Sequence, residues 1–137
     1  MKTLLIPLLA LFPLAAPAQT FTTAAEVEPI LEATRANWIA VRNYEGHDLI
    51  YFTNPLSWRC GLTAIRYSVN GESDLHDLAM EPCYEAEANP NALKFDQGIE
   101  AYITLPPESV KSVHVVMVLD DGREMPADYE RAAVQIP

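Results

Sequence analysis

Basic residues are scarce in this sequence. Lys and Arg number 9 against 19 Asp and Glu, which gives 137 residues a formal net charge of −10. Nucleic-acid binding requires a basic footprint, and adhesion to anionic lipid requires basic clusters, so the composition argues against both functions. The electrostatic field of this negative charge would steer a cationic molecule toward the surface of the protein. If the protein has a charged partner, the sequence therefore favours a basic protein or peptide.

Cysteine is equally scarce, since Cys60 and Cys83 are the only two. A single pair 23 residues apart lacks the short paired spacings of a zinc site, and no Cys-x-x-Cys redox motif is present. An even pair in an oxidising compartment favours a disulfide. We therefore predict a Cys60–Cys83 bond.

Long apolar runs are absent after the first 18 residues. Lys2 is followed by the apolar run Leu4–Ala16 and by Ala16-Pro17-Ala18, the layout of a secretory signal with cleavage after Ala18. Thirteen helical residues rise about 20 Å, against roughly 30 Å of bilayer hydrocarbon, which disfavours a membrane anchor. We expect an exported protein, periplasmic or secreted and not inserted in a membrane, whose mature chain has 8 basic and 19 acidic residues.

Catalytic signatures are also lacking, because no Gly-x-Ser-x-Gly motif occurs and there are only three histidines. His47, His76 and His114 are expected to be a turn residue and two strand residues, with no second ligand at metal spacing. Asp120-Asp121-Gly122 lacks the later ligands of a calcium loop and predicts a turn. We therefore predict no catalytic, metal or cofactor site. The alternative is a small exported hydrolase or metal-dependent enzyme that uses one of the three histidines.

The segment 19–37 predicts a short helix within 24–36, because Thr23-Ala-Ala-Glu26 is a capping-box pattern. Pro29 is expected to interrupt this helix or to begin a second one. Residues 38–137 form a single β-rich domain in this interpretation, since short β-type runs alternate with turn signals. The expected strands are 38–42, 49–53, 62–69, 72–78, 99–105, 113–119 and 123–129. The predicted fold is mostly β, a small antiparallel sandwich or partly open barrel of about seven strands.

Several details of this sheet follow from turn chemistry. The loop 44–48 joins the first two strands as a hairpin, with His47-Asp48 as polar turn residues. Asn70-Gly71 predicts a two-residue type I′ turn. Paired positions around that turn sum to 141, whereas the two cysteine numbers sum to 143. The cysteines should therefore lie nearly opposite each other at the open base of the hairpin, offset by a bulge.

The residues beside the expected disulfide form the candidate binding patch. Trp58 and Arg59 adjoin Cys60, and Tyr84 adjoins Cys83. Trp and Arg are enriched at binding hot spots, whereas the ordinary structural role of Trp58 would be to pack over the disulfide as core. Acidic residues surround Cys83, at Glu81 and in the loop that follows. We predict an exported, non-enzymatic binding or accessory module for a protein or peptide partner.

Overall fold

The computed structural model describes residues 7–14 and 19–137, and it confirms the mostly β fold. Seven strands form two antiparallel sheets, ordered β1-β2-β5 and β4-β3-β6-β7. Strands β1 to β7 are Ala40–Tyr44, His47–Tyr51, Leu62–Val69, His76–Asp77, Tyr102–Leu105, Ser112–Leu119 and Glu124–Glu130. Helices α1 to α3 are Ala24–Ala33, Thr53–Leu56 and Arg131–Val134, with 3-10 turns at Arg35–Asn37 and Arg59–Gly61. The expected signal cleavage after Ala18 lies outside the described residues.

Helix α1 begins at the predicted capping box. The backbone amide of Glu26 donates to the Thr23 hydroxyl at 3.3 Å, and the Glu26 carboxylate accepts from the amide of Phe21 at 3.1 Å. Pro29 lies inside one continuous helix, so the expectation that it breaks or restarts the helix is wrong. Val27 and Leu31 are fully buried, and they join the same core cluster as both sheets. The helix is therefore held by tertiary packing despite its proline.

The β1–β2 hairpin corrects the expected five-residue loop. Tyr44 pairs with His47 across a two-residue turn, in which Glu45 and Gly46 have φ of 49° and 78°. Positive φ at both positions matches the right-handed twist of the strands and permits the tight connection. As a consequence, His47 and Asp48 belong to β2 rather than to a loop.

The Asn70-Gly71 turn is confirmed, with φ of 56° and 76°. The returning strand is shorter than expected, because only His76–Asp77 pairs with β3. Its register places Arg66 opposite Asp77, a position sum of 143. Continued to the base of the hairpin, the same register places Cys60 opposite Cys83, and these two cysteines are disulfide-bonded with Cα atoms 5.0 Å apart. The predicted disulfide is confirmed, and the pairing of β3 with β4 has the expected offset of two from the turn.

Strand β6 is the centre of the core. Its predicted inward residues, Val113, Val115, Met117 and Leu119, are all at most 2% exposed. Strand β7 pairs with β6 alone and carries Pro126, so it is an edge strand as expected. On the other sheet, Gln135 forms a parallel bridge to Val41, and the amide of Ile136 donates to the Val41 carbonyl at 2.9 Å.

A buried ion pair joins the second strand to the C-terminal helix. Asp48 is fully buried, which corrects its expected place in a polar turn. Its carboxylate accepts from both Nη atoms of Arg131, at 2.6 and 3.1 Å, and from the amide of Val110 at 3.0 Å. The hydrogen bonds from Arg131, opposed by burial, lower the pKa of Asp48 to about 2. The charge is therefore strongly favoured in the folded state.

Replacing Gly61 by alanine is expected to displace α1. An alanine Cβ would lie 2.4 and 2.7 Å from the two methyl carbons of Val27 and 2.8 Å from the Thr23 carbonyl oxygen. Overpacking of this kind should lower the free energy of unfolding by about 2 kcal/mol. Urea denaturation measures the loss, and Val27→Ala combined with Gly61→Ala should recover part of it. Wild-type stability in Gly61→Ala would contradict this close approach.

Candidate functional site

The disulfide anchors a corner built almost entirely from irregular chain. Cys60 lies in the 3-10 turn Arg59–Gly61, and its backbone amide donates to Asn91 Oδ1 at 2.8 Å. Asn91 itself is only 8% exposed, and its Nδ2 donates to the Phe21 carbonyl at 2.9 Å. Three separate chain segments therefore meet at this corner. We call it the disulfide corner.

Arg59 holds the disulfide corner together from inside. It is 2% exposed, so it offers no guanidinium surface to a partner. Its three nitrogens donate to five backbone carbonyls, those of Leu56, Glu81, Pro82, Asn91 and Ala92, at 2.7–3.2 Å. Arginine presents its donors in a rigid planar fork, which suits several fixed acceptors. Arg59 is thus a structural hub beneath the predicted patch.

Glu81 is the buried counter-charge of this hub. Its carboxylate accepts from the Tyr84 hydroxyl at 2.7 Å and from the amides of Lys94 and Phe95. Burial alone would raise the pKa of Glu81, but these hydrogen bonds and the charge of Arg59 hold it below its usual value. The hydrogen bond to Glu81 raises the pKa of Tyr84 to about 12. At neutral pH, Glu81 is therefore ionised and Tyr84 is neutral, so the two form a fixed hydrogen bond and not an acid–base couple.

Trp58 faces a groove on one side of the disulfide corner. Its ring is half-buried and meets the Phe21 ring edge-on, with centroids 5.1 Å apart. Its Nε1 donates to Asn54 Oδ1 at 3.3 Å. The groove has a volume of about 510 Å³, and its walls include Phe21, Ser57, Trp58, Pro90, Asn91 and Leu93. A site of this size accepts one or two apolar side chains of a ligand.

The three residues of the predicted patch thus differ in role. Trp58 lines the groove, and Arg59 lies beneath the surface. Tyr84 is half-buried, and Lys94 Nζ lies 4.1 Å from its ring centroid on the surface. The structure brings all three to the disulfide corner, but among them only Trp58 lines this groove. The patch remains a hypothesis that rests on Trp58.

The histidines of the alternative hypothesis lie on three different strands. His47 begins β2, His76 contacts Glu72 at 3.0 Å, and His114 Nδ1 contacts Asp128 at 2.7 Å. Within residues 7–14 and 19–137, no group of three or more His, Cys, Asp or Glu side chains is placed to hold a metal ion. Asp120-Asp121-Gly122 forms a turn, as expected, and Asp120 accepts from the amide of Ala24 at 3.0 Å. The structure does not assemble these residues into one site.

The outer face of the three-stranded sheet carries aromatic residues that were not predicted as a site from the sequence. Tyr44, Tyr51 and Tyr102 alternate with inward residues on β1, β2 and β5, so they share this face. Tyr51 and Tyr102 meet edge-on with centroids 5.6 Å apart. Arg42 lies on the same face, with its guanidinium carbon 4.5 Å from the Tyr44 ring centroid. The alternation of residues in 40–44 and 47–51 would have predicted this face if the hairpin turn had been predicted as two residues long instead of five.

Beside Arg42 the outer face opens into a cavity of about 470 Å³. Its lining is mostly apolar and aromatic, and it also includes Asn37 and Asn54. Asn54 connects this cavity to the disulfide corner, because its Nδ2 donates to the Asn37 carbonyl while its Oδ1 accepts from Trp58. We call it the Arg42 cavity.

Comparison with known proteins finds no matching family model, no matching curated protein and no matching solved structure. Among the described residues, no helix is long and apolar enough to cross a membrane. The disulfide fits a small extracellular domain.

Proposed function

We propose that this protein is an exported, non-enzymatic binding module whose groove beside Trp58 receives an apolar side chain of a basic peptide or protein. The observation that carries the proposal is the half-buried Trp58, which lines a groove supported by a disulfide and by the hydrogen bonds of Arg59. A rigid support lowers the entropy lost on binding, and exposed tryptophan is a frequent hot-spot residue.

The preference for a basic partner follows from charge. Five of the cations already have a carboxylate partner on this chain, namely Arg35, Arg66, Lys94, Arg123 and Arg131. Most of the 19 acidic residues are left without a cation, and Glu85 and Asp96 are exposed in the same long loop that supplies groove residues. A cationic peptide would therefore be attracted to this region.

Export is supported by two observations. The apolar residues Leu8, Leu9, Leu11, Phe12 and Leu14 are 84–100% exposed, so this stretch of the leader contributes nothing to the core. The disulfide also suits an oxidising compartment. Both agree with removal of residues 1–18 and with a periplasmic or secreted location.

A peptide library tests the proposal. The probes are ten-residue peptides with lysines around one varied apolar position, together with the same peptides carrying glutamate for lysine. We expect the lysine peptides to bind and to shift the fluorescence of Trp58, since Trp38 is fully buried. Affinity should fall about tenfold between 50 and 200 mM salt because the attraction is screened.

Two variants locate the binding. Trp58→Ala should weaken the lysine peptides at least tenfold, as expected for a hot spot. Tyr44→Ala, a matched change of an exposed aromatic residue on the three-stranded sheet, should leave affinity for the lysine peptides unchanged. The proposal fails if no lysine peptide binds, if glutamate peptides bind equally well, or if Trp58→Ala binds like the wild type.

A further inference from the structure

Arg42 differs from every other arginine that the structure describes. Arg35, Arg66, Arg123 and Arg131 each contact a carboxylate, and Arg59 is saturated by carbonyls. Within the described residues Arg42 has no ion pair, and its Nε is buried without a hydrogen-bond partner. Buried donors in folded proteins nearly always have a partner, so an unpaired one calls for an explanation. In a chain with 19 carboxylates, this absence is all the more notable.

The surroundings of this guanidinium suit it to an acceptor supplied by a ligand. Arg42 lines the Arg42 cavity. Among the described residues, its Nε is the one buried side-chain nitrogen or oxygen without a partner. The two Nη atoms also lack a partner there but are not buried, so they reach solvent. The Tyr44 ring lies against the guanidinium and restricts it. An arginine without an ion pair, partly fixed by Tyr44, therefore forms part of the wall of a cavity that can hold a small organic group.

We propose that the Arg42 cavity binds a carboxylate that carries an apolar body. The carboxylate would accept two hydrogen bonds from the Nη atoms of Arg42, and the apolar body would lie against Ile39, Ala40, Tyr51 and Ile136. Arginine binds carboxylates in this bidentate manner.

Charge and lining select this ligand class over a phosphate. A single arginine faces the cavity, and the protein has a net charge of −10, so a dianion would lack compensation. A monocarboxylate needs only one guanidinium. The mostly apolar wall requires an apolar body, because burying polar groups without partners is unfavourable. This inference does not depend on the proposed function, since it concerns a separate cavity and an anionic ligand.

Matched acids and amides test the site. The probes are 3-phenylpropionate against 3-phenylpropanamide, and N-acetyl-Gly-Phe against its C-terminal amide. Binding is followed by ¹H–¹⁵N NMR of the folded protein. We expect at least one acid to shift resonances of β1 and β2, with its amide bound at least tenfold more weakly. Binding of the phenylpropionate alone identifies a small acid as the source, and binding of the peptide acid alone identifies a chain terminus.

Variants provide the control. Arg42→Met keeps most of the apolar stem and should abolish the difference between acid and amide. Arg66→Met removes a half-buried strand arginine from the other sheet and should preserve the difference. Thermal unfolding of Arg42→Met should match or exceed that of the wild type, because an unpaired buried donor is removed. The proposal is overturned if neither acid binds, if acid and amide bind equally, or if Arg42→Met retains the preference for the acid.

Discussion

Replacing Arg59 by methionine is expected to lower the free energy of unfolding by about 4 kcal/mol, the range seen when a buried charge pair loses one partner. The change leaves five backbone carbonyls without their donor and Glu81 without its nearby cation. Glu81 is 4% exposed, so its charge is not rescued by water. Urea denaturation at pH 7 under oxidising conditions measures the loss.

Two further variants define what Arg59 does. Arg59→Lys keeps the charge but concentrates its donors at one point, so it should recover only part of the lost stability. Arg66→Met removes the exposed contact with Asp77 and should cost less than about 1 kcal/mol. If Arg59→Met were no more destabilising than Arg66→Met, Arg59 would not stabilise the disulfide corner, which would contradict the role inferred for its hydrogen bonds.

Replacing Asp48 by asparagine is the second change with a large expected effect. The substitution keeps the shape but leaves Arg131, whose side chain is 17% exposed, without its buried counter-charge. We expect a loss of about 3 kcal/mol in the free energy of unfolding near neutral pH, measured by urea denaturation. Asp128→Asn, an exposed carboxylate on β7, serves as the matched control and should change stability little.

The pH dependence of this loss follows from the pKa of Asp48. The folded pKa of about 2 lies below the ordinary value of 3.8, so ionised Asp48 stabilises the fold above pH 4. This stabilisation is lost as the pH falls from 4 toward 2. The stability difference between wild type and Asp48→Asn should therefore shrink by about 1 kcal/mol between pH 6 and pH 3. A difference that stays constant over this range would contradict the depressed pKa.

Local patterns in the sequence were sufficient for much of the fold. The alternation of Val113, Val115, Met117 and Leu119 identified the central strand, and all four are buried. The Asn70-Gly71 turn follows from the need for positive φ, and counting from that turn placed the disulfide. These features depend on residues close together in the chain or on a register that a turn determines.

The features that the sequence did not reveal depend on distant segments. Arginine is rarely buried, so the sequence indicated that Arg59 lies on the surface. In the structure it is buried, because carbonyl acceptors come from loop residues 22 to 33 positions away in the chain. Asp48 suggested a polar turn, because its partner Arg131 is 83 residues away. Likewise, Tyr102 joins Tyr51 only through the pairing of β2 with β5. No local pattern records these contacts.

The edges of both sheets are short or interrupted, with a consequence for association between molecules. An open strand edge presents unpaired backbone groups that can template assembly with another molecule. Strand β4 has only two residues, β7 carries Pro126, and the free side of β1 is occupied at Val41 by Gln135 and Ile136. The remaining edge, β5, is four residues long. A chain with this much β structure therefore offers little exposed edge for intermolecular strand addition.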